Sequence, residues 1–282
     1  MTPRDLTIDL PHQKMAALEW GPADGAPVLA VHGWLDNAAT FDTLAPLLGD
    51  YRVIALDLAG HGRSDHWPQS CSHYFVDWVP QILEAADALG FEDFLLLGHS
   101  MGAGVASLLP AVAPGRVKRM VLLEGAGPLT TPPEEAPALL RNALDDEKRI
   151  AGRSQRIHPD LESAVAARCH GTDLDPDSAR LLVERSVTKV DGGLRFTSDP
   201  RLRTRSRWRF TEDQVFAFLV AIDCPVLAVR ADQGWPVPEE QMLARLEAIP
   251  DVTRLEVAGG HHVHLTHPER VASAICDFFA AD

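Results

Sequence analysis

No apolar run in the chain approaches the roughly 18 residues that a membrane span needs, and the first residues, MTPRDLTIDLPHQ, carry no apolar signal core. Cysteine is sparse: Cys71, Cys169, Cys224 and Cys276 lie far apart, with no CxxC pair. Free thiols are therefore the expected state and the reducing cytoplasm the expected compartment. Basic charge is also short, 26 Lys and Arg against 40 Asp and Glu, for a formal charge of −14. That balance argues against general affinity for nucleic acid or for an anionic membrane, and leaves small-molecule ligands untouched. Internal repeats and low-complexity tracts are missing, and no glycine-rich stretch ends in the Gly-Lys-Ser/Thr of a phosphate-binding loop. A chain of 282 residues with this composition suits one large α/β domain, or a core with an inserted subdomain.

What is present is an alternation of short apolar runs with helical spacing. Residues 6–10 and 15–20 read as a hairpin, and PVLAVH (27–32) and YRVIALDL (51–58) as strands buried on both faces. Residues 41–48 suit a short helix. Phe75, Trp78, Ile82, Ala85 and Ala86 place a helix over 74–89, and residues 117–123 form a further strand. The rhythm then stops. From about 129 to 210 the chain is polar, with helical segments near 134–149, 161–169 and 177–187 and no strong strand signal. It resumes with a helix over 212–221, for which Thr211 and Gln214 form a capping box. A strand at 225–231, a helix at 238–248, a strand at 253–257 and a last helix capped by Thr266 and Glu269 follow. The pattern predicts a mostly parallel sheet with helices on both faces, interrupted by a helical insertion.

The stretch FLLLGHSMGAG (94–104) reads as a strand, a tight turn and the start of a helix, with Ser100 at the apex. A serine raised on such a turn is strained and crowded unless neighbouring positions lack a side chain, and Gly98 and Gly102 provide those gaps. The helix beginning after Ser100 directs free N–H groups, that of Met101 first, towards negative charge developing on a substrate oxygen. At the end of the PVLAVH strand, Gly33 allows close approach of the backbone, so that the Trp34 amide becomes a second donor. In DLAGHGRSD (57–65), His61 stands so close to Arg63 and Asp57 that a structural role is expected of it. Arg201, Arg203, Arg205, Arg207 and Arg209 alternate along the end of the insertion. They form a solvated, neutralised face or else present one or two cations to a substrate carboxylate or phosphate.

HGWLDN, DLAGHGRSD, GHSMG and GGHHVHLTHPE occur in the order found in the α/β-hydrolase superfamily, which the chain resembles over nearly its full length. LLEGAGP and the RFTEDQVFAF segment resemble the serine-hydrolase-like branch of its capped members. The resemblance implies an eight-stranded α/β-hydrolase core (residues 1–127 and 211–282) with a helical cap at 128–210. It also implies a nucleophile, acid and histidine on the ends of different strands. The nucleophile maps to Ser100 and the base to His261, the histidine directly after the last glycine of its turn; His262 and His264 are its competitors. Adjacent histidines do not readily share an ion, so no metal is expected, and hydrolysis through such a triad requires no cofactor.

The acid departs from the commonest pattern. Where that pattern has an aspartate, the chain has Gly234, with Asp232 two residues early. Some members place the acid at the end of the sixth strand instead, and there the chain has Glu124; Asp232 remains the alternative. An acid on a buried strand end needs a partner, and a histidine that becomes imidazolium is one. The expected activity is hydrolysis of a small-molecule ester, thioester or lactone through an acyl-enzyme. A cofactor-free lyase and a binding protein with a vestigial site are the alternatives, and the sequence leaves the oligomeric state open.

Overall fold

The computed structural model describes residues 2 to 281. The chain opens with the hairpin β1 (Arg4–Leu10) and β2 (Gln13–Trp20), followed by β3 (Ala26–Val31) and β4 (Tyr51–Leu56). Helix α1 (Trp78–Ala88), β5 (Phe94–His99), α2 (Met101–Ala106), α3 (Leu109–Val112) and β6 (Val117–Leu123) complete the first part. The insertion holds α4 (Ala136–Ala151), α5 (Leu161–Cys169), α6 (Pro176–Ser186), β7 (Val187–Val190) and β8 (Gly193–Phe196). The core resumes with α7 (Glu212–Val220), β9 (Val226–Gln233), α8 (Glu239–Glu247), β10 (Val252–Gly260), α9 (Val263–Thr266) and α10 (Glu269–Ala280).

Eight strands form one sheet in the order β1-β2-β4-β3-β5-β6-β9-β10. From β4 to β10 every pairing is parallel, and the β1–β2 hairpin is added antiparallel along β4. Successive strand side chains point to opposite faces, which divides the apolar runs between two cores. Leu29, Val31, Leu96 and Leu122 pack with α1, α2 and α7 on one side. Val28, Ala30, Leu97, Val121 and Val229 pack with Phe41, Ile275 and Phe279 on the other. The strand order reverses between β3 and β5, so the loops after these two strands open a crevice at the carboxyl edge of the sheet, where open α/β sheets bind ligands.

The insertion is closed at its base by a bridge between Thr130 and Phe210. It is not purely helical: β7 and β8 form an antiparallel hairpin that the polar sequence of this region did not signal. Its strands are four residues each, too short and too exposed to show a buried alternation. Helices α5 and α6 have a small core of their own, Ala164, Val165, Leu174, Leu182 and Val183, closed by Leu265 of α9. Two smaller expectations also shift. Residues 41–48 do not form a helix; two 3-10 turns, Ala38–Phe41 and Ala45–Leu47, stand around this stretch. The last helix is not capped by Thr266, whose hydroxyl bonds back to the His262 carbonyl while Pro268 precedes α10.

Candidate active site

Ser100 sits between β5 and α2 with φ 52° and ψ −114°, a conformation a β-carbon makes costly. The surroundings enforce it. The Ser100 N–H donates to the Leu123 carbonyl at 2.8 Å, and the Ser100 carbonyl accepts from Gly104 N–H at 3.1 Å. A β-carbon at Gly102 would lie 2.1 Å from the Val31 carbonyl oxygen, so only glycine lets α2 close onto the end of β3. That contact brings the loop of Gly33 and Trp34 against the first turn of α2, where the Met101 amide has no intrahelical acceptor.

His261, after β10, completes the chain of contacts. Its Nε2 is 2.9 Å from the Ser100 Oγ, and its Nδ1 is 3.2 Å from Glu124 Oε2. Since a carboxylate only accepts, Nδ1 carries the proton and Nε2 is left to accept from the serine hydroxyl. Glu124 ends β6 at φ 57°, and its side chain is 4% exposed. Its Oε1 accepts from Ala231 N–H at 2.5 Å and its Oε2 from Trp235 N–H at 3.1 Å, which fixes the carboxylate beneath the imidazole. A β-carbon at Gly234 would lie 1.9 Å from Glu124 Oε2. The carboxylate of Glu124 thus occupies the room that a side chain at 234 would need. Asp232 is not part of this group: it is exposed, and its Oδ1 accepts from Gly259 N–H at 2.9 Å, tying β9 to β10.

The other histidines divide by environment. His61 is buried against His32 and Trp78, and burial holds it well below its ordinary pKa, in keeping with a structural role. His264 is likewise held neutral by burial, with Nε2 2.9 Å from the Thr40 hydroxyl. Burial pushes His99 down to about 4, and its neutral ring donates from Nε2 to the His261 carbonyl at 2.9 Å. His262 is the exception. Burial works against its charge, but Asp36 and Asp173 raise it to about 9.

The His262 contacts form a network that sequence reasoning missed. Its Nδ1 is 2.5 Å from Asp173 Oδ1 and its Nε2 3.4 Å from Asp36 Oδ2. Burial penalises the charge on Asp36, yet His262 and Arg168 hold its carboxyl well below the usual range. Asp36 stands within HGWLDN without an evident role, and nothing in the sequence pairs Asp173 with a histidine 89 positions away.

The insertion lies along the loops at the carboxyl edge. Trp34 Nε1–H donates to the Leu202 carbonyl at 2.9 Å, Asn37 Nδ2–H to the Leu182 carbonyl at 2.8 Å, and buried Arg185 pairs with Asp57. Three of the five alternating arginines are neutralised by carboxylates: Arg201 by Asp199, Arg205 by Asp146 and Arg207 by Glu147. Arg203 and Arg209 are in no ion pair among the described residues, and burial lowers the pKa of both. Trp34 and Trp235 present exposed rings, that of Trp235 centred 5.6 Å from the His261 ring.

A family model described as alpha/beta hydrolase fold matches residues 26–268. A serine hydrolase-like protein of Danio rerio is 33% identical over 97% of this chain and 87% of its own length. Among solved structures, a hypothetical protein of Pseudomonas aeruginosa PAO1 superposes with a TM-score of 0.93 at 40% identity, covering 98% of this chain and 99% of that one. The thioesterase domain from the curacin biosynthetic pathway does so with a TM-score of 0.87 at 27% identity, covering 98% and 99%.

Proposed function

This chain belongs to the α/β-hydrolase fold family and is a hydrolase, and on that premise we propose that it cleaves a small-molecule ester, thioester or lactone through an acyl-enzyme. The observation that carries the reading is the relay Ser100 Oγ, His261 Nε2, His261 Nδ1, Glu124 Oε2, with steps of 2.9 and 3.2 Å at its two polar contacts. A serine hydroxyl is a poor nucleophile until a base removes its proton, and an imidazole both takes that proton and returns it to the leaving group.

In this mechanism Ser100 Oγ attacks the substrate carbonyl while its proton passes to His261 Nε2. Glu124, anchored by the Ala231 and Trp235 amides, holds the correct tautomer and stabilises the imidazolium. The amides of Trp34 and Met101 receive the oxyanion. The imidazolium protonates the departing alcohol or thiol, and water, activated by the same histidine, releases the acid. No cofactor enters any step. Residues 128–210 serve as a cap over the crevice, excluding water and shaping the pocket. Exposed Trp34 and Trp235 suit an acyl group with an apolar portion, and a thioesterase domain among the similar structures accords with a thioester. Four unbridged cysteines fit a reducing, cytoplasmic setting.

Burst kinetics on a nitrophenyl ester, joined to labelling by a fluorophosphonate, test this. A burst equal to one product per chain, with labelling and turnover both abolished in Ser100→Ala, is the expected result. Turnover that survives Ser100→Ala would sink the acyl-enzyme.

A further inference from the structure

The backbone of His261 is held from both sides. Its carbonyl accepts from His99, and the next N–H, that of His262, donates to Asp173 Oδ2 at 2.8 Å. The same carboxylate takes the His262 ring through its other oxygen, so Asp173 grips residue 262 at two points. It also fills the room beside Gly260, where a β-carbon would lie 2.4 Å from Asp173 Oδ2. Asp173 belongs to the insertion, between α5 and α6. The far side of the His262 ring meets Asp36 on the loop that carries Trp34, and Asp36 is bonded in turn by Arg168 of α5. The insertion therefore reaches the turn of the histidine directly through Asp173 and the loop of Trp34 through Arg168, with His262 between.

We propose that Asp173 and His262 are positioning residues that lock the turn of His261 in register with Ser100, so that nucleophile activation requires the cap to be docked on the core. The proposal rests on the reading of His261 as the base. A polar grip of this kind is expensive to bury unless both partners stay paired: if Asp173 withdraws, an imidazolium is left facing Asp36 alone, and the His262 N–H loses its acceptor. A displacement of the base by about 1 Å is enough to cost about 10²-fold in rate. The groups around His262 are Asp36 with Arg168 behind it, Asp173, His99 from the end of β5 at 5.2 Å between ring centres, and His261 and His264 from its own turn. Only the two carboxylates stabilise its charge.

The test measures the rate at which a fluorophosphonate labels Ser100, because that rate reads the position of His261 without knowledge of the substrate. With folding checked by thermal melt, Asp173→Asn is expected to slow labelling by about 10- to 100-fold, with partial recovery in Asp173→Glu. His262→Gln should slow it similarly, and the double variant should be no slower than either single one, since both act through one contact. In the wild type, labelling should decline as pH rises past about 9, where His262 loses its proton, and His262→Gln should lack that decline. Wild-type labelling by Asp173→Asn, or independent losses that multiply in the double variant, would overturn the proposal. If Asp173→Asn does not fold, His262→Gln decides alone: slowed labelling supports the lock, an unchanged rate refutes it. A wild-type protein that labels but turns over no ester contradicts the substrate reading and leaves these comparisons valid. One that does not label at all defeats both.

Discussion

Glu124 and Asp232 show how much a single side chain decides. Both are acidic residues at strand ends near the histidine, and only Glu124 lies within reach of His261. Glu124→Gln should lower kcat by roughly 10²- to 10⁴-fold, because the amide no longer stabilises the imidazolium and can reverse the tautomer. Asp232→Asn should change it by less than about threefold, as expected of an exposed residue outside the relay. Steady-state kinetics on one ester compare the two, and a reversed order would move the acid to β9. The crowding at Gly234 supplies a second test. Gly234→Asp alone should inactivate, because its β-carbon collides with Glu124. In a Glu124→Ala background the new aspartate enters the vacated space and should recover at least about tenfold of the lost kcat. That Ser100, His261 and Glu124 come together was legible in the sequence, the serine from its strand-turn-helix motif and the histidine and acid from the family resemblance. Asp36, His99 and Asp173 were not, because their roles arise from contacts between segments that the sequence keeps far apart.

At the scale of elements, the turn after β5 works because two backbones touch. Gly102→Ala places a methyl group 2.1 Å from the Val31 carbonyl oxygen, with main chain on both sides and no flexible side chain to yield. Urea unfolding should show a loss of at least the about 1–3 kcal/mol typical of an overpacked core. Activity should fall further than stability, because relief of the clash pushes the Met101 amide away from the loop of Trp34. An alanine variant with unchanged stability would show that α2 is free to shift. The need for a residue without a side chain at 102 could be foreseen from the crowding of the serine turn, and the parallel strands from buried runs such as PVLAVH and FLLLG, which have little alternative to a covered sheet. The β7–β8 hairpin escaped notice for the opposite reason. Short exposed strands owe their existence to pairing with each other and with His158, not to an apolar pattern of their own.

For the whole molecule, buried histidines set a stability optimum that neither the net charge nor the acidic pI would suggest. Burial lowers the pKa of His32, and takes those of His61 and His264 well down; His99 falls to about 4. These groups bind protons more readily unfolded than folded, so their contribution is complete above the unfolded value of about 6.5 and is lost as pH falls below it. His262 has the opposite sign. Its folded pKa of about 9 means that its contribution is complete below about 6.5 and is lost as pH rises towards 9. A tenfold difference in proton affinity between the folded and unfolded chain is worth about 1.4 kcal/mol, so four groups opposing one make the acid side the steeper. Urea midpoints measured from pH 5 to pH 9.5 should therefore peak near neutrality and fall more sharply towards pH 5 than towards pH 9.5. Replacement of His262 by Gln should flatten the alkaline side. A midpoint independent of pH between 5 and 8 would mean that these imidazoles are not held neutral in the fold. The proposed lock adds an expected outcome: fluorophosphonate labelling should decline over the same alkaline range in which the urea midpoint falls.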